Sequence, residues 1–270
     1  MTLASPQGRS GLEHQADLAL LQDAVREAGA IALDFFRNGV RSWEKRPDDP
    51  VSEADLAVDE HLKQRLLGAR PGYGWLSEET ADDASRLTRQ KVWVVDPIDG
   101  TRAFLKGKPE FTICAALVDA GAAVAGAVFN PATDEFYDAV AGGGARLNDA
   151  PISASKRSGL SGARLIASKR TFEQHHWIDL TPGAEFAYLN SIAYRMAKIA
   201  SGDYDAAVSL SEKSDWDIAA AELIVREAGG CCSTRTGAAF VYNLPDRRHP
   251  SVLASGAGLH DTLVELLGRG

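Results

Sequence analysis

The chain has 270 residues, of which 45% are hydrophobic and 24% charged, and its formal net charge is −8 at pH 7. This length and composition allow a sizeable core, in one large domain or in two closely joined lobes. The acidic balance argues against a nucleic-acid polymer as the main partner, because phosphate backbones bind to basic surfaces. A small anionic ligand is compatible with it, since bound metal ions can reverse the local charge.

No stretch of the sequence contains an apolar run of the length that a signal peptide or a membrane span requires. We therefore predict a cytoplasmic protein with no membrane partner. The cysteines Cys114, Cys231 and Cys232 form no CxxC pair, and the six histidines show no zinc-binding spacing. This pattern favours reduced, structural thiols and argues against a zinc enzyme.

The first part of the chain predicts two helices. Residues 16–37 have apolar residues at helical spacing, which indicates a long amphipathic helix. A polar loop follows it. Ser52 and Asp55 then have the spacing of a capping box, which predicts that the second helix begins near Ser52.

The pattern changes along the rest of the chain. Residues 111–147 are short β-like runs separated by turn signals, as in an antiparallel meander. After Pro151, strand and helix patterns alternate, which is typical of an α/β lobe. No linker-like segment separates the two patterns. We therefore predict an α+β lobe with an antiparallel sheet over residues 1–150 and an α/β lobe over residues 151–270, joined by an extensive interface. In the second lobe we predict strands at 163–168, 205–210 and 251–255, and helices near 171–178, 191–202 and 216–230.

The most informative stretch is "KVWVVDPIDGTRAFLKG", residues 91–107. Its first part predicts a buried strand that runs into Asp96. The rigid Pro97-Ile98 turn can bring the carboxylates of Asp96 and Asp99, with a backbone carbonyl between them, toward one point. Hard oxygen ligands of this kind suit Mg²⁺.

Gly100 and Thr101 follow directly, and the sequence after them predicts a short helix. Backbone N–H groups at a helix start commonly bind a phosphate oxygen. Taken alone, however, an Asp-Pro-x-Asp-Gly segment is more commonly a tight turn held by side-chain hydrogen bonds, so the other segments of the chain must decide.

Acidic residues also occur at the ends of two further predicted secondary-structure elements. Glu78 and Glu79 follow an apolar run, and Asp217 opens a predicted helix. Each has an ordinary structural explanation: a solvated loop for the glutamates, and an acid favoured by the helix dipole for Asp217. Acidic residues thus occur at the ends of three predicted elements. This is more than helix capping requires, and it favours a metal site.

One competing mechanism can be tested within the motif. Phosphatases with an aspartyl-phosphate intermediate carry Asp-x-Asp-Gly-Thr after a strand, and the first Asp is their nucleophile. Here the residue two positions before Asp99 is Pro97, so this nucleophile is missing and a water molecule must attack. No GxxxxGK[ST] segment occurs either, which excludes a P-loop.

Four segments, "VSEAD", "LSEE", "WVVDPIDGTRAF" and "WDIAAAELIVREAGG", occur in this order. Together they resemble the inositol monophosphatase superfamily of Mg²⁺-dependent, lithium-sensitive phosphomonoesterases, over roughly residues 15–260. The resemblance implies the layered α-β-α-β-α sandwich of the inositol monophosphatase and fructose-1,6-bisphosphatase type. It also implies a homodimer, although no sequence feature indicates an interface.

The resemblance implies roles by position, with two or three Mg²⁺ ions at each site. The first ion is assigned Glu78, Asp96 and the carbonyl of Ile98, the second Asp96, Asp99 and Asp217, and Glu79 helps to bind a further, looser ion. Thr101, paired with Asp55, is expected to activate the attacking water. The amides of Gly100 and Thr101 are expected to hold the phosphate.

The substrate is less defined, because members of this superfamily hydrolyse inositol monophosphates, 3′-phosphoadenosine 5′-phosphate, histidinol phosphate or fructose bisphosphate. Glu110-Phe111-Thr112 resembles the bisphosphate nucleotidases, but their Tyr-Pro-Arg and Trp-Asp-Thr-Ala-Ala-Gly segments are absent. We expect inositol monophosphate first, 3′-phosphoadenosine 5′-phosphate second and histidinol phosphate third. A non-catalytic binding protein is disfavoured, since every residue of the motif set is intact.

Three residues have two interpretations each. Ser191 is either a substrate contact, by family position, or the N-cap of the helix that follows it. Glu212 and Lys213 either reach the leaving group of the substrate or belong to a solvated, charged loop.

Overall fold

The computed structural model describes residues 6–82 and 84–268. Its helices are α1 (Pro6–Asn38), α2 (Glu53–Ala69), α3 (Thr101–Leu105), α4 (Lys169–Gln174), α5 (Ile192–Ala200), α6 (Asp215–Glu227) and α7 (Ala257–Gly268), with short 3₁₀ helices at Ser85–Thr88 and Trp177–Leu180. Its strands are β1 (Ser42–Arg46), β2 (Asp49–Ser52), β3 (Gly74–Ser77), β4 (Lys91–Asp99), β5 (Thr112–Asp119), β6 (Ala122–Asn130), β7 (Glu135–Val140), β8 (Ala145–Leu147), β9 (Ala150–Pro151), β10 (Arg164–Ile166), β11 (Glu185–Ala187), β12 (Ala206–Ser209), β13 (Lys213–Ser214), β14 (Gly230–Ser233), β15 (Arg248–His249) and β16 (Val252–Gly256).

These elements form five layers: helices, a sheet, helices, a second sheet and helices. α1 and α2 cover one face of the first sheet, α5 and α6 lie between the two sheets, and α7 packs on the outer face of the second. The predicted layered α-β-α-β-α sandwich, with its α+β and α/β parts, is confirmed. Within the described ranges, no helix is both long and apolar enough to cross a membrane.

The first sheet has seven strands in the order β3-β4-β5-β6-β7-β8-β9. β3 and β4 are parallel, and every later pair of neighbours is antiparallel. The meander predicted over residues 111–147 is therefore confirmed. It matters for the site because β4, which carries the aspartate motif, is held between β3 on one side and this meander on the other.

The second sheet has five strands in the order β11-β10-β12-β16-β14. Its strands β10, β12 and β16 confirm those predicted from the sequence. The sequence does not indicate β11, which lies between two predicted helices, or β14, which begins at the end of the helix predicted near 216–230. The predicted lobe boundary between residues 150 and 151 stays a prediction.

A β-hairpin occupies the segment where the sequence predicts only a polar loop. β1 pairs antiparallel with β2, and every residue of β1 is exposed. Because β1 buries no residue, it lacks the alternation of apolar and polar residues by which a strand is recognised. The prediction of a loop is wrong here, and the hairpin turns out to reach the site.

Three apolar clusters fill the spaces between the layers. The first, which includes Val58 and Trp93, joins α1 and α2 to the first sheet. The second, which includes Met196 and Leu223, surrounds α5 and α6. The third, which includes Leu263, lies under α7. Since α6 is packed from both sides, its position is determined by both sheets.

β6 and α6 come very close at Gly126. A Cβ atom at this position would lie 3.1 Å from Cα of Ala220 and 3.2 Å from its carbonyl oxygen. The small side chains of α6, Ala219 to Ala221, allow the same close approach from the other side. Any larger residue at Gly126 must displace the backbone of α6, the helix that carries Asp217.

We expect Gly126→Val to destabilise the protein by about 1–3 kcal/mol, the usual cost of overpacking a core. Urea denaturation measures this free energy of unfolding. Gly68→Val, within α2, is the matched control, because no atom lies within 4 Å of the Cβ position there. Equal unfolding free energies for Gly126→Val and the control would contradict the tight contact between β6 and α6.

Candidate active site

The carboxyl end of β4 carries the two aspartates of the central motif. β4 pairs regularly with β5 as far as Asp96, and the ladder is irregular between Asp96 and Asp99. Asp96 is only 1% exposed, and its Oδ1 atom has no hydrogen-bond partner among the described residues. A buried carboxylate oxygen of this kind is costly unless a cation or a proton satisfies it.

The first turn of α6 brings a third aspartate to the same place. Oδ2 of Asp217 accepts a hydrogen bond from the backbone N–H of Ser214 at 2.5 Å, as part of a capping box. Asp96, Asp99 and Asp217 each present one carboxylate oxygen, and these oxygens lie within 4.8 Å of one another. The structure thus brings together three of the predicted ligands.

Asp99 is fixed by the start of α5. Its Oδ2 atom accepts hydrogen bonds from Oγ of Ser191 at 2.6 Å and from the N–H of Ala193 at 2.7 Å. Ser191 is fully buried and caps α5 by accepting a hydrogen bond from the N–H of Tyr194 at 2.9 Å. The N-cap interpretation of Ser191 is confirmed, and its substrate contact stays a prediction.

Asp55 and Thr101 form the predicted pair. Oγ1 of Thr101 lies 3.2 Å from Oδ1 of Asp55 and 3.0 Å from the carbonyl oxygen of Ile98. The other oxygen of Asp55 accepts hydrogen bonds from the N–H of Ser52 at 2.8 Å and from its Oγ at 2.5 Å, in the predicted capping box. Burial raises the pKa of Asp55 although the Ser52 hydrogen bonds oppose this rise.

Glu78 and Glu79 lie just after β3, and because β3 and β4 are parallel, their carboxyl ends meet at one edge of the sheet. Lys45, on strand β1 of the hairpin, forms ion pairs with both glutamates. Its Nζ atom lies 2.9 Å from Oε1 of Glu78 and 2.9 Å from Oε1 of Glu79. The two acids are therefore paired with a cation rather than free in a solvated loop.

Burial and mutual repulsion raise the pKa values of these acids. Burial first, and then Glu78 and Asp99, raise the pKa of Asp96 well above its ordinary value. Burial and Asp99 raise the pKa of Asp217 to about 7, and burial raises that of Glu79 to about 7. At neutral pH such a cluster takes up protons or a cation, because full ionisation would crowd negative charges in a dry site.

The donor set fits a divalent cation of the Mg²⁺ type. Carboxylates and the backbone carbonyl of Ile98 are hard oxygen ligands, which Mg²⁺ prefers. The Oδ1 atom of Asp96 offers such an ion a buried oxygen that no side chain or backbone group in the described part of the chain satisfies. The residues that are present therefore match the predicted cofactor in chemistry.

Gly100 turns the chain from β4 into α3. Its φ angle of 97° is in the left-handed region, and a Cβ atom there would lie 2.8 Å from the carbonyl oxygen of Glu110. Only glycine combines this φ with such a close contact. Gly100 therefore allows α3 to begin with Thr101 one residue after β4 ends at Asp99.

Two adjoining cavities contact the aspartate cluster. The smaller, of about 240 Å³, is lined by Glu78 and by the motif residues Asp96, Ile98, Asp99, Gly100 and Thr101. The larger, of about 420 Å³, extends toward the second sheet. The residues that line both are Asp99, Arg102, Tyr188, Asn190 and Asp217.

The larger cavity has a cationic lining. Arg102, Arg195 and Lys213 contribute to it, and its acidic lining residues are the two aspartates shared with the smaller cavity. Lys213 therefore lies next to the site, whereas Glu212 is exposed and pairs with Arg248 at 3.5 Å. Glu212 therefore belongs to a solvated, charged loop. Contact of Lys213 with the leaving group of the substrate stays a prediction.

Sequence reasoning does not indicate Lys45 or Tyr188. The segment Arg46-Pro47-Asp48-Asp49 has the turn residues of a tight connection and could have indicated the hairpin that carries Lys45. Tyr188 is 63% exposed and lies between β11 and α5. Nothing in its local sequence distinguishes it from an ordinary surface residue.

Comparison with known proteins agrees with this geometry. The sequence profile of the family described as "Inositol monophosphatase family" matches residues 14–267. An inositol-1-monophosphatase of Rhizobium meliloti (strain 1021) is 35% identical, with 84% of this chain and 88% of the relative covered. A histidinol-phosphatase of Chlorobaculum parvum is 34% identical, with 80% and 85% covered. The crystal structure of the extragenic suppressor protein suhB from Bartonella henselae superimposes with a TM-score of 0.81 at 28% identity, over 94% of this chain and 99% of that one.

The profile and these relatives each cover most of the chain, and the residues that the profile matches include Asp55, Asp96, Asp99 and Asp217. The architecture of the solved relative is that of this structure. The predicted resemblance is thereby confirmed. The chain belongs to the inositol monophosphatase family of phosphoric monoester hydrolases.

Proposed function

We propose that this protein is a Mg²⁺-dependent, lithium-sensitive phosphomonoesterase that hydrolyses inositol monophosphate by attack of water. One observation carries the proposal: oxygens of Asp96, Asp99 and Asp217 lie within 4.8 Å of one another, and one buried oxygen of Asp96 has no hydrogen-bond partner within residues 6–82 and 84–268. A cation held there would lie beside the pair of Asp55 and Thr101.

The ligands divide as the family pattern implies. Glu78, Asp96 and the carbonyl of Ile98 would hold one ion, and Asp96, Asp99 and Asp217 the other, while Glu79 is a candidate for a third. When bound, such ions lower the pKa of a coordinated water and neutralise charge on the leaving oxygen.

Asp55 and Thr101 would handle the proton of the attacking water. The Thr101 hydroxyl lies within hydrogen-bond distance of Oδ1 of Asp55, so it can donate to that carboxylate while its own oxygen accepts from a water. Asp55 would then take the proton through Thr101 as a general base. The raised pKa of Asp55 brings it closer to the range in which a carboxylate accepts a proton.

The start of α3 would orient the phosphate. Gly100 and Thr101 line the smaller cavity together with the proposed metal ligands Asp96, Asp99 and Asp217, which supports a role of their amides in binding phosphate. Arg102 follows them and lines both cavities, so its guanidinium can interact with an anionic substrate. Ser191 is proposed to act on the reaction through Asp99, whose Oδ2 it holds.

The choice of inositol monophosphate is supported by the name of the Rhizobium meliloti relative. The cationic lining of the larger cavity favours a second candidate, 3′-phosphoadenosine 5′-phosphate, because its second phosphate could pair with Arg195 or Lys213. Histidinol phosphate is the third candidate, after the Chlorobaculum parvum relative. Its ammonium group would meet the same cations, which is unfavourable.

We expect Mg²⁺-dependent phosphate release from inositol 1-phosphate, faster than from 3′-phosphoadenosine 5′-phosphate or histidinol phosphate, and inhibition by Li⁺. A colorimetric phosphate assay on these three esters, with and without Li⁺, measures this. If phosphate is released fastest from another of these esters, that ester replaces inositol monophosphate as the proposed substrate, and the protein is still a phosphomonoesterase. No Mg²⁺-dependent release from any of them would contradict the proposed function.

We expect Asp99→Asn to abolish turnover and to leave the fold intact, because an amide keeps the shape of the side chain and removes the charge that a divalent ion requires. Turnover in Mg²⁺ and the far-UV circular dichroism spectrum measure the two effects. Asp134→Asn, in the turn before β7, is the matched control and should retain wild-type turnover. Wild-type turnover of Asp99→Asn would contradict its role as a ligand.

We expect Mg²⁺ to raise the thermal unfolding temperature more at about pH 7.5 than at about pH 5, because protons compete with the metal for the carboxylates. In the folded, metal-free protein the pKa of Asp217 is about 7, above its ordinary value of 3.8. The contribution of this group to stability is therefore present below about pH 4 and is lost as the pH rises to about 7.

Differential scanning fluorimetry in Mg²⁺ and in EDTA at both pH values measures this effect. The variant Asp217→Asn should show a smaller rise in unfolding temperature at the higher pH. An equal Mg²⁺ effect at both pH values in the wild type would argue against a metal held by these acids.

A homodimer is also part of the proposal, and the family resemblance supports it. Size-exclusion chromatography with light scattering measures the mass directly. A mass of one chain, 28.8 kDa, would contradict the dimer without affecting the proposed chemistry.

A further inference from the structure

Arg247 lies beside the site, and the proposed reaction does not use it. Its guanidinium carbon is 4.9 Å from the centre of the Trp216 ring, at cation–π distance. Within residues 6–82 and 84–268 it forms no ion pair, and its buried Nε atom has no hydrogen-bond partner. A buried N–H without an acceptor costs free energy, so a ligand that supplies an acceptor there would be favoured.

The acids around Arg247 are engaged by other cations. The charges of Asp82 and Asp246 both act on Arg247. Asp82, however, pairs with Arg86 at 2.8 Å, and Asp246 pairs with Arg248 at 2.9 Å. The positive charge of Arg247 is therefore available to an anion from outside the chain.

The start of α6 fixes the position of Arg247. The N–H of Asp215 donates to the carbonyl oxygen of Arg247 at 2.9 Å. The carboxylate of Asp215 lies 2.8 Å from Nε2 of His249 and accepts the N–H of Asn243 at 2.8 Å. Segment 243–249 is thus attached to the first residue of α6, two positions before the proposed metal ligand Asp217.

A cavity of about 430 Å³, the Arg247 cavity, is lined by Arg247 and Trp216 and adjoins the site. It shares Asp49, Glu78 and Asp217 with the smaller cavity. With the larger cavity, into which the leaving group of the substrate would extend, it shares Asp217 and no other described residue. The Arg247 cavity therefore opens from the site on the side away from the leaving group.

Three cations line the Arg247 cavity, and two of them are paired with acids. Lys45 pairs with Glu78 at 2.9 Å, and Arg46 pairs with Asp49 at 3.0 Å. An anion that enters this cavity would therefore meet its unpaired positive charge at Arg247.

The proposed reaction sends its product in this direction. In an in-line displacement water attacks opposite to the leaving oxygen, and the phosphorus moves away from that oxygen as its bond breaks. Asp55 and Thr101 are the proposed acceptors of the proton of this water. Glu78 lies on the same side, since its charge helps to raise the pKa of Asp55, and Glu78 also lines the Arg247 cavity.

We propose that Arg247, held against Trp216, forms a second phosphate subsite through which the product phosphate leaves. The inference rests on the proposed function, because inorganic phosphate is the product of that reaction. A guanidinium can bind phosphate through two parallel N–H donors, and the unpartnered Nε of Arg247 supplies one of them. The alcohol and the phosphate then leave on opposite sides of Asp217.

Equilibrium dialysis of the full-length protein against radiolabelled inorganic phosphate in Mg²⁺ counts the bound phosphates without any need for turnover. We expect two per chain in the wild type and one in each of Arg247→Met and Arg247→Gln. Loss of a charge-assisted, bidentate contact should weaken binding at this subsite by at least about tenfold. Arg247→Lys keeps the charge but not the paired donors, so it should bind the second phosphate with intermediate affinity.

Arg248→Met is the matched control, because Arg248 is the adjacent residue and its charge is already paired with Asp246. It should bind two phosphates. Circular dichroism shows that each variant is folded. The same number of bound phosphates in the wild type and in both neutral variants would overturn the subsite.

Inhibition by phosphate gives a second readout, measured with the ester that the protein hydrolyses fastest. A phosphate at the subsite can bind together with the substrate, so we expect mixed inhibition in the wild type and in Arg248→Met. We expect purely competitive inhibition and an unchanged KM in Arg247→Met. A parallel rise in KM and in the inhibition constant would show that Arg247 acts on the reacting phosphate instead, which would also overturn the subsite.

Failure of the proposed function is distinguishable from failure of the subsite. No turnover of any ester would contradict the proposed function. The wild type is expected to bind one phosphate more than Arg247→Met in either case, so the dialysis measurement still decides on the subsite.

Discussion

The site depends on one arrangement: backbone N–H groups at helix N-termini donate hydrogen bonds to the carboxylates around the site, including the proposed metal ligands Asp99 and Asp217. Asp55 and Asp217 are the third residues of α2 and α6, and each accepts the N–H of its own N-cap serine. Asp99 accepts an N–H from the first turn of α5. The positive end of a helix stabilises a nearby carboxylate, which allows several acids to lie close together in a buried place.

In each of these acids one oxygen is engaged by a helix and the other is left for the site. For Asp55 the second oxygen meets Thr101. Capping and function, which look like competing explanations of the same residue in the sequence, are therefore compatible. Capping fixes the side chain, and fixing the side chain is what a metal ligand needs.

Asp96 differs from the other three because no helix supports it. It lies on β4, is almost fully buried, and has one oxygen without a hydrogen-bond partner among the described residues. Its position depends on the strand that carries it, since β4 is paired with β3 on one side and with β5 on the other. The close packing of α6 on β6 then determines how near Asp217 comes to it. Stability of the layered core and geometry of the site are in this way coupled.

The local features could be predicted from the sequence because they arise within short segments. The capping box at Ser52 and Asp55 and the strand that ends in Asp96 and Asp99 are of this kind. Contacts between distant segments have no such local signal, and those of Asp55 with Thr101 and of Asp217 with Asp96 and Asp99 were expected only from the family resemblance. Ser191 bonds to an aspartate that is 92 residues earlier in the chain, and no local pattern indicates this. Lys45 has no local signal for a different reason, since the exposed strand β1 that carries it buries no apolar residue and so shows no periodic pattern.

The central claim is that the three aspartates at the end of β4 and the start of α6 bind divalent metal. A crystal structure of the protein with Mn²⁺, phased or checked by anomalous scattering, tests it most directly. We predict an anomalous peak coordinated by Asp96, Asp99 and Asp217. A well-ordered site at saturating Mn²⁺ without a peak among these carboxylates would contradict the claim.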